Sequence, residues 1–109
     1  MSDRELLRRY LGLYRSIARE LNSPNCTEQN RKEIQEIKNN IDYIISLVQI
    51  GSKKRKIIEL RYKNGLNWRQ IERTMHYSRS PLAEYEKKAL DELVKIEAVK
   101  SIIHDCKII

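Results

Sequence analysis

The chain has 109 residues, enough for one domain with a single modest core. Helix formers dominate, Gly (3) and Pro (2) are scarce, and Phe is absent, so an all-α fold must build its core from Ile, Leu, Val and Tyr. No apolar run nears the roughly 18–20 residues that cross a bilayer, and Arg4, Glu5, Arg8 and Arg9 break up any secretory h-region, so neither a membrane partner nor export is expected.

Ser2 or Asp3 can cap a first helix over residues 3–21, striped by Leu6, Leu7, Tyr10, Leu13, Tyr14, Ile17, Ala18 and Leu21. Asn22-Ser23-Pro24-Asn25 is turn chemistry and stops it. Thr27 can cap a long second helix running to about Ile50, with Ile34, Ile37, Ile41, Ile44, Ile45 and Val48 on one face and Gly51 at its end. Two striped helices joined by a short polar loop predict a helical hairpin over residues 1–51, a scaffold or an oligomer contact. Cys26 and Cys106 read as free thiols of a reducing, cytoplasmic setting.

Residues 52–109 form the second unit. Ser52 can cap a third helix that opens with Lys53-Lys54-Arg55-Lys56, continues through Ile57, Ile58, Leu60 and Tyr62, and closes at Asn64-Gly65. Asn67 caps a short fourth helix from Trp68 to about Met75, and His76-Tyr77-Ser78 is a turn. The fifth helix begins with either Ser78 or Ser80 as its cap, Pro81 lying in the first turn. Leu82, Tyr85, Ala89, Leu93, Ile96, Val99, Ile103 and Cys106 then predict one long helix, whose later turns pair with a second copy or pack on the hairpin.

Charge is concentrated in this half. Residues 51–88 hold eleven Lys/Arg and four Asp/Glu, a net +7 that equals the charge of the whole chain, +7. A polyanion is the partner such a segment suits, because neutralising phosphates releases condensed counterions. A short helix, a three-residue turn and a second helix are the parts of a helix-turn-helix, in which the second helix enters the major groove of double-stranded DNA. Ala89 is a candidate for the small residue needed where the two helices approach.

The stretch Arg55-Lys56-Ile57-Ile58-Glu59-Leu60-Arg61-Tyr62, with Gly65-Leu66-Asn67-Trp68-Arg69-Gln70-Ile71 and Lys88-Ala89-Leu90, resembles region four of bacterial sigma factors. With Trp68-x-x-Ile71 and the Tyr77-Ser78 turn, it is more similar still to the sigma-like domain of phage transcriptional regulators of the ArpU/RinA type. The resemblance covers about 40 residues and implies a phage or prophage regulator that binds promoter DNA and can touch RNA polymerase. Ser80-Pro81-Leu82-Ala83 stands where sigma factors tend to be rich in arginine.

On the fifth helix, Arg79, Ser80, Ala83 and Glu84 are the candidate base readers: arginine can pair with guanine O6 and N7, and a carboxylate can accept from cytosine N4. The plainer reading of Glu84 and Glu86, ahead of cytosine readout, is that they balance neighbouring lysines. Candidate phosphate contacts are Lys53, Lys54, Arg55, Lys56, Arg69, Arg73, Lys87 and Lys88. Trp68 and Tyr62 read as packing residues. His76 and His104 lack clustered partners, so no metal is expected; no cofactor-binding or catalytic constellation is present either, and an enzyme is not expected. A small terminase-like DNA-packaging subunit, or a sigma-like module that docks on polymerase or another protein, are the rival functions. A homodimer is the expected assembly.

Overall fold

A computed structural model describes residues 2–105, and every regular element among them is helical. In chain order these are α1 (Asp3–Leu11), α2 (Tyr14–Leu21), α3 (Glu28–Ser46), α4 (Lys53–Ile58) with a wider π-helical turn Glu59–Lys63, α5 (Trp68–Met75), α6 (Arg79–Leu93) and α7 (Glu97–Asp105). Cys106, expected to close the last apolar stripe, lies outside the described residues.

Local chemistry explains most starts and stops. The Ser2 hydroxyl accepts from the Glu5 N–H at 3.2 Å, Thr27 from Asn30 at 3.2 Å and Ser52 from Arg55 at 3.1 Å, each satisfying an N–H that the first helical turn leaves without a partner. At α5 the exchange is reciprocal: Asn67 accepts from the Gln70 N–H and Gln70 from the Asn67 N–H, both at 2.9 Å. Ser78 is the N-cap of α6, which settles the choice between Ser78 and Ser80 and puts Pro81 in the first turn.

Three expected helices are shorter than the apolar pattern suggested. The first breaks at Gly12-Leu13, where the Leu13 N–H reaches back only to the Tyr10 carbonyl (3.1 Å) and a glycine lowers helix propensity. α3 ends at Ser46 rather than near Ile50, and Ile50 is exposed. The last helix breaks at Val94-Lys95-Ile96 without a glycine or proline. There the Lys95 and Ile96 N–H groups turn back to the Glu92 and Leu93 carbonyls.

Packing accounts for both interruptions of the longer stripes. Because of the first break, α2 lies on α3 as a hairpin-like pair while α1 leaves it to pack on α6 and α7. Because of the second, Val99 and Ile103 of α7 are buried rather than carried outward on a long helix, and this face is spent within the chain. Burying each such side chain is worth about 1.5–3 kcal/mol, more than a helical turn of average propensity contributes.

The buried residues form two clusters. The larger takes Leu7, Tyr10 and Leu11 of α1, Ile17 of α2, Ile41, Ile44 and Ile45 of α3, Ile58, Tyr62, Leu90 and Leu93, and Val99 and Ile103 of α7. The smaller is formed by Ile57, Ile71 and Leu82, with Leu60, Leu66, Trp68, Met75 and Tyr85 against it. An eight-residue helix such as α5 is not stable alone in water, so this second cluster is what fixes α5 against α4 and α6.

Candidate nucleic-acid interface

The α5-turn-α6 unit has the expected limits. His76 ends α5 in the left-handed conformation (φ 60°), its N–H bonded to the Glu72 carbonyl at 2.8 Å, and Tyr77 and Ser78 carry the chain into α6. Leu82 and Ala89 are buried and Tyr85 half-buried, as their spacing predicts. Ala89, however, belongs to the larger cluster and not to the smaller one that joins α5 to α6.

Burial of that side leaves Arg79, Ser80, Glu84, Lys87 and Lys88 exposed and Ala83 half-exposed along the outside of α6. Arg79 is drawn toward Trp68, its guanidinium 5.9 Å from the ring centroid, and Arg61 lies over the same indole at 4.7 Å. Trp68 is therefore a rim residue that packs on the smaller cluster and holds two arginines through its ring.

The expected phosphate contacts separate into two groups. Among the described residues Lys53, Lys56, Arg69, Arg73, Lys87 and Lys88 have no carboxylate within ion-pair distance, nor does Arg79. Lys54 instead pairs with Glu92, and Arg55 with Glu59 at 2.9 Å. The run Lys53–Lys56 is not one patch, because helical rotation divides it. Lys53 sits 4.6 Å from the Tyr77 ring and 5.8 Å from that of Tyr85, beside α6. The Tyr77 phenol beside it raises the Lys53 pKa. Arg55 and Lys56 line a separate groove with Glu59, Leu60 and Asn64.

Glu86 does not balance surface lysines. It is 1 % exposed, and its two carboxylate oxygens accept from Arg8 of α1, at 3.1 Å, and from Arg61 of the π-helical turn. The Tyr62 phenol is enclosed beside this group, and its burial, then the Glu86 charge, push its pKa up to about 12. For Arg8, burial acts to lower the pKa, but Glu86 and Tyr62 outweigh it and the value is raised. One carboxylate thus ties three elements together and leaves the group with a net positive charge.

Above Glu86 runs an open groove of about 540 Å³ between α1 and α6, lined by Arg4, Arg8, Arg61 and Trp68 on one side and Ser80, Ala83, Glu84 and Lys87 on the other. Arg4 reaches α6 through Asp91, at 3.3 Å. Arg4, Arg8 and Arg61 are the basic residues that the sequence did not single out for this surface. The i, i+4 spacing of Arg4 and Arg8 was visible, but which element they face depends on the break at Gly12.

The geometry defines an all-helical protein whose most basic segment presents an exposed helix after a three-residue turn. Residues 14–96 match the family described as protein of unknown function (DUF722), and the chain belongs to that family. The match runs from α2 into the turn after α6. No curated protein and no solved structure gives a significant match.

Proposed function

We propose that the chain is a sequence-specific DNA-binding transcriptional regulator that sets α6 in the major groove. The observation that carries this reading is the exposed side of α6, where Arg79, Ser80, Glu84, Lys87 and Lys88 stand clear of the core and, among the described residues, no carboxylate is within ion-pair distance of Arg79, Lys87 or Lys88. Arg79, Ser80, Ala83 and Glu84 lie in the first two turns, the part of a recognition helix that meets base edges. In this reading Lys53 beside α6, Lys87 and Lys88 further along α6, and Arg69 and Arg73 on α5 are the phosphate contacts. A phage or prophage source, a cytoplasmic site of action and a contact with RNA polymerase belong to the same proposal through the resemblance to sigma-like regulators.

Selection of bound sequences from random duplex DNA tests it. Arg79→Ala is expected to relax preference at one or two base pairs and to cost about 1–3 kcal/mol, whereas Lys87→Gln weakens all sequences alike. An unchanged motif for Arg79→Ala would show that this turn of α6 does not read bases. A palindromic motif with half-sites one helical turn apart, about 34 Å, is the result a homodimer predicts.

A further inference from the structure

We infer that α1 is part of the DNA-binding surface: Arg4, and the exposed edge of Arg8, hold the phosphates of the strand that runs along one side of α6. This inference rests on the proposed function and extends it to a segment outside the α5-α6 unit.

A helix seated in a major groove about 12 Å wide has a sugar-phosphate strand along each of its sides. In this chain α6 is flanked by basic residues on both. Asp91 and Glu92 are neighbours in sequence and so point about 100° apart around α6. Glu92 reaches Lys54 at the start of α4, and Asp91 reaches Arg4 of α1. On the α4 side, Lys53 lies against Tyr77 and Tyr85. On the α1 side, the open groove carries Arg4, Arg8, Arg61 and Lys87 against Glu84 and Glu86. Glu86 is already neutralised by Arg8 and Arg61 together, so the surface that a strand would meet keeps an excess of positive charge. The Arg4–Asp91 pair is half-exposed on both partners, the kind of ion pair that a phosphate can displace. α1 is held in position by its packing on α6 and α7, so these arginines are presented by a fixed helix and not by a loose terminus.

The test compares the full-length chain with Arg4→Gln and Asp91→Asn, using a duplex that the wild-type chain retains and a mobility-shift titration across salt concentrations. Each phosphate contact contributes about 0.9 to the slope of log K against log salt. Arg4→Gln is expected to flatten the slope by about one contact while leaving the selected motif intact. Asp91→Asn, which frees Arg4, is expected to tighten binding to all sequences several-fold at low salt. A slope and affinity unchanged in Arg4→Gln, in a chain whose circular dichroism and unfolding midpoint match wild type, would overturn the role of α1 and leave α6 as the reader. Failure of the wild-type chain to retain duplex DNA at all would overturn both.

Discussion

A carboxylate as enclosed as Glu86 needs partners that return what water would have given it, and Arg8 and Arg61 supply them from 78 and 25 residues away in the chain. That separation is why the residue could be read only as a lysine-balancing acid: its spacing on α6 was legible, its partners were not. Removing one member of a fully enclosed pair costs about 3–5 kcal/mol, and here both arginines keep access to water. Glu86→Ala is therefore expected to lose about 1.5–3 kcal/mol in urea unfolding, the range for a hydrogen-bonded charge. A loss below about 0.5 kcal/mol would mean that this carboxylate does not join α1 to α6. Tyr62, in the same group, gives a pH signature. Its folded pKa of about 12 lies above its ordinary value of 10.0, so the folded state resists the phenolate. The stability linked to it is complete below pH 10 and is lost as pH rises through 12. Wild type should accordingly lose more stability than Tyr62→Phe between those two values in denaturant titrations at each pH, and parallel curves for the two chains would contradict the assignment.

Among the elements, starts were more legible than interruptions. Ser2, Thr27, Ser52 and Asn67 cap by chemistry that a short stretch of sequence contains; the last three cap where expected, and of Ser2 and Asp3 it is Ser2 that caps α1. The breaks after Leu11 and Leu93 follow from tertiary packing, since α1 gains α6 and α7, and α7 gains α1. Val94-Lys95-Ile96 contains no residue that forbids a helix, so nothing local announced the second break. The π-helical turn is similar: the Asn64 N–H bonds to the Glu59 carbonyl at 3.0 Å, one residue further back than in an α-helix. Asn64 caps it and Gly65 follows, with a φ of 68°, the left-handed conformation that glycine adopts without strain. At the turn between α5 and α6 the same conformation falls to His76, where a Cβ is unfavourable. His76→Gly is expected to raise unfolding stability by about 0.5–1 kcal/mol without altering DNA selection. A decrease in the unfolding midpoint would show that the imidazole contributes more than the strain it bears.

At the scale of the whole molecule, the basic helix-turn-helix depends on the helices before it. Its own cluster is small, whereas α4 and α6 place Ile58, Ala89, Leu90 and Leu93 in the larger cluster with α1, α2 and α3. A fragment of residues 52–109 is thus expected to lose cooperative thermal unfolding, followed by circular dichroism, although it contains the whole α5-α6 unit. A sharp transition in that fragment would show that the smaller cluster suffices. The same shared core gives the surface its form: α4 and α1 both pack on α6, reaching it through the adjacent Glu92 and Asp91, and charge that appears in sequence as one block is distributed around one helix. How much of that charge acts on phosphates is most directly tested by one measurement, the mobility shift of the full chain with random duplex DNA at low salt, followed by sequencing of the retained fraction. Retention that falls steeply with salt, together with an enriched motif, is the result predicted for α6 as a reader. Retention without a motif would reduce α6 to a basic surface and favour DNA packaging, and no retention at low salt would contradict DNA binding and turn attention to a protein partner.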